Sequence, residues 1–211
     1  MSEKQTTVFV VDDDSSVRKG LKRLLKSAGY SVETFDSAEA FLTCDSGCDG
    51  PACLVLDVQM PGLNGLDLQE KLVSRDYAMP IIFITGHGDI PTSVRAMKKG
   101  AVEFLTKPFD ERDLIDAVQE ALQKDFQTRC VLREREDIQK RLATLTPREH
   151  EILTYVIAGL SNKQIAYVLN ISEKTVKAHR GRVMEKTGVE SLAELVRLAE
   201  KAGVKPAEVS I

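Results

Sequence analysis

Phosphoryl transfer onto a protein carboxylate needs a nucleophilic acid, more acids to hold a divalent cation, and a hydroxyl and an ammonium to receive charge. The 211-residue chain carries such a set, each member at the end of an apolar run. Asp57 closes the run 53–56 and is followed by Pro61-Gly62, which turns the chain. Asp12 and Asp13 follow the run 7–11, Thr85 closes 81–84, and Lys107 follows 102–105. Carboxylates can hold Mg²⁺, which prefers oxygen ligands in near-octahedral geometry. An Asp can serve as the nucleophile while Lys and Thr stabilise charge on the group being moved. A single Asp at a strand tip means little; the set acquires meaning only if the four strands lie side by side in parallel.

The surrounding elements are the ones that would place them so. Strand 8–11 leads to a helix capped by Ser15 or Ser16, with Val17, Leu21, Leu24, Leu25 and Ala28 at helical spacing and Gly29 at its end. Strand 31–35, helix 38–42, strand 53–57 and a helix to about 75 follow. After these come strand 80–85, a helix over 92–99 stopped by Gly100, strand 102–105 and a helix from about 110. Strands alternating with helices at this spacing predict a doubly wound parallel α/β sheet, whose ligands sit at the carboxyl ends of the strands. Asp14 merely extends the acid run and receives no role. Cys53 is expected to pack as a small apolar residue. Cys44 and Cys48, in a polar loop, match no metal spacing and read as reduced thiols rather than a redox pair. His87, just beyond Thr85, reads as a loop residue that modulates water access, not as a catalytic base.

From residue 122 onward the chain has a different texture. Residues 122–141 are highly charged without Pro or Gly, so the preceding helix is expected to continue. Leu122, Phe126, Val131 or Leu132, Ile138 and Leu142 give it a thin apolar stripe, compatible with a signalling helix or a dimer seam and equally with a solvated linker. Thr146-Pro147-Arg148-Glu149 and Ser161-Asn162-Lys163-Gln164 are capping boxes that open two helices. Leu169-Asn170-Ile171-Ser172 joins the second to a third, the pattern of a helix-turn-helix. A further helix starts at Ser191 and ends near Gly203. In the helix 173–186, Val176, Val183 and Thr187 share an inward face, whereas Lys174, Lys177, Ala178 and Gly181 lie opposite, flanked by Thr175 and Arg182. A basic face interrupted by small residues suits a DNA major groove. Arg180 lies nearer the buried side, within reach of a phosphate, and His179 has no companion ligands that would make it a metal site.

Charge divides the chain in the same way. Residues 1–139 hold 17 Lys+Arg against 24 Asp+Glu, net −7, and residues 140–211 hold 12 against 8, net +4. An acidic front and a basic back suit a sensing domain joined to one that meets a polyanion. No apolar run approaches a membrane span, and the polar start lacks a signal peptide's apolar segment. The expected location is cytoplasmic, with no membrane contact.

These motifs resemble a two-component response regulator of the FixJ/LuxR (NarL-type) family: a CheY-like receiver followed by an all-α helix-turn-helix domain. The resemblance implies a receiver over 1–122, a helical linker over 123–142 and a LuxR-type DNA-binding domain over 143–211. It makes Asp57 the phosphoacceptor, and Asp12, Asp13, Asp57 and the Gln59 main-chain carbonyl the ligands of Mg²⁺ or Mn²⁺. Thr85 and Lys107 become the phosphoryl-contacting residues, Phe104 the aromatic that turns with Thr85, and the Lys107–Pro108 peptide bond cis. Lys163, Lys174, Thr175, Lys177, Ala178, Arg180, Gly181 and Arg182 become the DNA-contacting set, with Gly181 standing where the family often has a longer polar side chain. The implied partners are a cognate sensor histidine kinase, promoter double-stranded DNA, RNA polymerase and a second copy of the chain after phosphorylation. The implied function is a transcriptional regulator, leaning to activator, and not an enzyme. A phosphatase with an aspartyl nucleophile is the enzymatic rival, but it usually carries a second carboxylate two residues on, where this chain has Gln59. A DNA binder that uses its receiver only as a scaffold is the other rival.

Overall fold

Residues 6–44, 50–74, 79–86 and 90–208 are described by the computed structural model; His87 and Cys48 therefore lie outside the described residues. The chain forms two compact units, residues 1–129 and 130–211.

In the first unit, β1 (Thr7–Val11), β2 (Ser31–Phe35), β3 (Ala52–Asp57), β4 (Ile81–Thr85) and β5 (Glu103–Thr106) form one sheet in the order β2-β1-β3-β4-β5, all parallel. The expected doubly wound sheet is what forms. Its central strands are buried on both faces, so alternate residues feed two cores. Phe9, Leu54, Leu56 and Phe83 pack under α2 (Ala38–Thr43), α3 (Gly65–Ser74) and α4 (Ile90–Lys98). Val8, Val10, Cys53, Val55, Ile82 and Ile84 pack under α1 (Ser15–Ser27) and α5 (Glu111–Ala143). Each large side chain so buried contributes about 1.5–3 kcal/mol, which sets the register firmly. The order reverses between β1 and β3, so a crevice opens at the carboxyl ends of these two strands, where ligands of such sheets bind.

Two helix starts differ from expectation, and several strand and helix ends shift by one residue, as in β5 at Glu103–Thr106 against 102–105. Asp14, not Ser15 or Ser16, is the N-cap of α1: its carboxylate accepts from the amides of Ser16 at 2.7 Å and Val17 at 3.4 Å. Helix α4 starts at Ile90 instead of Thr92. Pro91 does not delay it, because a first-turn residue needs no N–H for the helix.

Helix α5 is continuous from Glu111 to Ala143, as the lack of Pro and Gly predicts. Of its apolar stripe, Leu122 and Ile138 are buried, whereas Phe126, Val131 and Leu132 are exposed. In the second unit α6 (Pro147–Ile157), α7 (Asn162–Val168), α8 (Glu173–Thr187) and α9 (Leu192–Lys201) surround a core of Ile152, Leu153, Val156, Ile165, Val176, Val183 and Leu195. Both capping boxes form, at Thr146/Glu149 and Ser161/Gln164, and Ser172 and Ser191 cap the other two helices. Among the described residues, no helix is long and apolar enough to cross a membrane.

Candidate functional site

The carboxyl edge of the sheet collects the chemistry. β1 and β3 are neighbours in register, Val11 opposite Leu56, so the residues that follow, Asp12 and Asp57, emerge side by side. One carboxylate oxygen from each of Asp12, Asp13 and Asp57 lies within 4.8 Å of the others. Asp12 and Asp57 are buried and Asp13 is exposed. Three oxygen donors at that spacing, one of them open to solvent, fit the needs of a hard divalent cation.

Lys107 directly follows β5 and reaches into the same cluster; its bond to Pro108 is cis. Its Nζ donates to Asp12 Oδ2 at 2.7 Å and to Asp57 Oδ2 at 2.9 Å. Burial works against the ammonium, but these two carboxylates hold it above its ordinary pKa. Burial also pushes the Asp12 carboxyl up, and the nearby Asp57 charge adds to this, against the pull of Lys107 and of the Asp14 amide. The buried Asp12 carboxylate is thus costly to ionise without a counter-cation.

Thr85 and Gln59 occupy the same edge, while Phe104 lies further back along β5. Thr85 ends β4, fully buried, and its carbonyl accepts from the Lys107 amide at 2.7 Å. The Gln59 amide donates to Asp57 Oδ1 at 3.2 Å, which turns the loop after β3 around the carboxylate. Phe104 is half-buried on β5, its ring tilted against Phe83 with centroids 6.2 Å apart.

Several residues that hold the ends of the sheet strands and their loops were not singled out from sequence. Arg18 Nη1 donates to the Asp12 carbonyl at 2.6 Å and so fixes the end of β1. Glu39 of α2 accepts from the Leu63 amide at 3.1 Å and steadies the loop after Asp57. Buried Asp125 accepts from the Ala52 amide at 2.8 Å and from Arg129 Nε at 2.6 Å, tying the start of β3 to α5. Arg18 and Asp125 sit at helical spacing from core residues, a faint signal; nothing local marks Glu39.

In the second unit, Lys163, Lys174, Thr175, Lys177, Ala178, Gly181 and Arg182 are all exposed. The buried face of α8 is Val176, Val183 and Thr187, as its wheel predicts. Arg180 is half-buried, and its Nη1 donates to Asn162 Oδ1 at 2.7 Å, which joins α8 to the start of α7. The turn between these helices passes through Asn170 at φ 51°, a left-handed conformation that Asn tolerates. Glu149 and Lys186, read from sequence only as a cap residue and a helix end, meet at 2.7 Å and brace α6 against α8. Lys186 also donates to the Thr144 carbonyl at 3.0 Å.

Comparison with known proteins adds two family matches. Residues 8–119 match the response regulator receiver domain, and residues 143–199 match the bacterial regulatory proteins of the luxR family. Nodulation protein W of Bradyrhizobium diazoefficiens is 48% identical over 197 residues, 93% of this chain and 86% of that protein. The transcriptional regulatory protein FixJ of Azorhizobium caulinodans is 45% identical over 201 residues, 95% of each chain. Among solved structures, the response regulator StyR is 51% identical with a TM-score of 0.85, covering 93% of this chain and 99% of that one.

Proposed function

The chain belongs to the response regulators that join a receiver domain to a LuxR-type DNA-binding domain, and from that membership we propose the roles of its individual residues. It is a phosphorylation-regulated transcriptional regulator of the FixJ/LuxR type; its family is one of DNA-binding regulators, and we infer that it turns over no external substrate.

Asp57 is the phosphoacceptor. A carboxylate oxygen of Asp57 attacks the phosphorus of a phosphohistidine on a cognate sensor kinase; the P–N bond breaks and the imidazole nitrogen keeps the electron pair. Asp12, Asp13, Asp57 and the Gln59 carbonyl would hold Mg²⁺ or Mn²⁺, which would supply charge neutralisation for the phosphoryl oxygens when bound. Lys107 turns from the paired acids to a phosphoryl oxygen, and Thr85 donates its hydroxyl to another. The observation that carries this reading is the contact of one ammonium with both Asp12 and Asp57 inside a three-carboxylate cluster.

The phosphoaspartyl group brings roughly one to two negative charges to the edge. Thr85 and Lys107 close on it, Phe104 turns inward, and the face made by α4, β5 and the first part of α5 repacks. Two receivers then pair isologously and align two DNA-binding domains on two half-sites. The division is a receiver over 1–122, a helical linker over 123–142 and a DNA-binding domain over 143–211. Lys174, Thr175, Lys177, Ala178, Gly181 and Arg182 enter the major groove of promoter DNA, while Lys163 and Arg180 serve the phosphate backbone. The protein works in the cytoplasm and, as an activator, recruits RNA polymerase.

Sedimentation of the full-length protein with Mg²⁺, with and without a small-molecule phosphodonor, tests the reading. A monomer-to-dimer shift that requires the donor and is absent in Asp57→Ala is the expected result. Unchanged sedimentation and promoter affinity with phosphate confirmed on Asp57 would overturn the switch, and no phosphate on Asp57 would overturn the acceptor assignment.

A further inference from the structure

Helix α3 begins where the loop after Asp57 ends, and its first residue is crowded against that loop. A Cβ added to Gly65 would lie 2.3 Å from the Asp57 carbonyl oxygen and 3.1 Å from Val58 Cα. The Gly65 amide donates to the Val58 carbonyl at 3.0 Å. A displacement of the Asp57 loop therefore carries the start of α3 with it.

One turn further on, α3 presents Gln69 and Glu70 to α4. Gln69 is 1% exposed, and its Nε2 donates to the carbonyls of Ala96 at 3.2 Å and Lys99 at 3.3 Å. Its own Oε1 is buried with no hydrogen-bond partner. A Met would fill the same space without stranding an acceptor, so burial alone does not account for the amide. What the amide adds is direction: it fixes the end of α4 to α3. Beside it, the Glu70 carboxylate accepts from Arg95 Nη2 at 2.6 Å and from the Lys99 ammonium.

These contacts fall in the last turn of α4 and just beyond it. The helix is otherwise lightly held by apolar burial. Ala96 is its buried residue, whereas Ile90, Val94 and Met97 are 80%, 44% and 43% exposed. Toward its other end, Thr92 borders a groove of about 460 Å³ beside the Asp57 loop, lined also by Val58, Gln59, Asn64 and Leu66. One end of α4 is thus clamped to α3, and Thr92 near the other end borders the groove beside the acceptor.

We propose that Gln69 and Glu70 are positioning residues that convert a change at Asp57 into a pivot of α4. The loop moves α3 through Gly65, the clamp turns α4 about its carboxyl end, and Ile90, Val94 and Met97 are re-aimed. The inference rests on the reading of Asp57 as phosphoacceptor and adds the residues through which its state reaches the α4 face.

The test uses full-length protein, Mg²⁺ and a small-molecule phosphodonor, with Gln69→Met and Glu70→Ala beside the native chain. Phosphate on Asp57 is measured by intact mass, self-association by sedimentation, promoter affinity by titration and folding by thermal melting. The expected result is native phosphate stoichiometry in both variants, with the donor-dependent gain in self-association and promoter affinity cut about fivefold. The exposed Glu70→Ala is expected to melt as the native chain does, which separates coupling from folding. A native-sized gain in both variants at equal phosphate would overturn the clamp. Losses that merely track lower melting and lower phosphate in both would assign these residues to packing and overturn it as well. A native chain that takes no phosphate on Asp57 would remove the acceptor reading, and this inference with it.

Discussion

Two lysines, one in each unit, make the same kind of contact with a carboxylate and serve opposite ends. Lys107 lies 2.7 Å from Asp12 and Lys186 lies 2.7 Å from Glu149. Around Lys107 the acids outnumber the ammonium: Asp12 and Asp57 share it, and burial holds the Asp12 carboxyl above its ordinary value. Around Glu149 the donors outnumber the acid. Lys186 and the Thr146 amide both point at it and hold its carboxyl down to about 2. The first arrangement keeps charge in excess and ready for another cation or anion; the second is saturated and braces two helices. Distance alone does not separate a reactive pair from a structural one. The balance of donors and acceptors around it does.

The sharpest way to break this contrast is through two glycines. Gly65 sits against the Asp57 carbonyl, where an added Cβ would meet backbone at 2.3 Å, whereas nothing lies within 4 Å of one added at Gly181. Gly65→Ala is expected to cost the first unit about 1–3 kcal/mol, because backbone must shift to admit the methyl, and to impair phosphorylation of Asp57 as the loop moves. Gly181→Ala, in the interior of α8, is expected to stabilise the second unit by about 0.5–1 kcal/mol. Thermal melting and phosphate stoichiometry of the two variants check both. Equal tolerance at the two positions would mean that the acidic edge is not built to the tight fit described.

The Glu149 brace has a pH signature of known sign. Its folded pKa of about 2 lies below the ordinary 4.5, so the unfolded chain takes up the proton first as pH falls. The stabilisation is fully present above pH 4.5 and is lost as pH falls toward 2. In Glu149→Gln this pH dependence is expected to flatten, with the second unit melting several degrees lower than native at pH 7 and converging with it in acid. Calorimetric melts across that range read it directly. A native acid slope in the variant would show that another group supplies it.

How much of this was legible in sequence follows from how local each feature is. The strands were readable as apolar runs bounded by acids and turn residues, and Thr146 and Ser161 as caps, because each depends on neighbours within four residues. Asp12, Asp13, Asp57, Thr85 and Lys107 were legible as a set because parallel strands bring their tips to one edge. Asp14 was hidden by its own company: beside two acids with chemical promise it looked like surplus, although an Asp just before a helix is a strong cap. The contacts of Glu149 with Lys186, Arg180 with Asn162 and Gln69 with Ala96 are tertiary, 37, 18 and 27 residues apart, and no periodicity announces them. Gln69 is the hardest case, since a polar residue on a helix's buried face reads as a break in the pattern until its two acceptors are seen.

The finest test of the comparison removes each lysine's charge while keeping its bulk. In Lys107→Met the ammonium that competes for Asp12 and Asp57 is gone, and the three acids are left to repel one another. A divalent cation then meets a more negative site, and Mg²⁺ is expected to bind about fivefold more tightly, the effect of roughly one screened unit charge at this distance. Phosphoryl transfer is expected to suffer even so, because the ammonium would no longer be there to meet the incoming oxygens. Lys186→Met is expected to do the reverse: melting of the second unit falls, while Mg²⁺ affinity is unchanged. Calorimetric titration of both variants gives the answer. If Lys107→Met bound Mg²⁺ more weakly than the native chain, the ammonium would be holding the acids in place rather than competing for them, and the distinction between the two lysines would collapse.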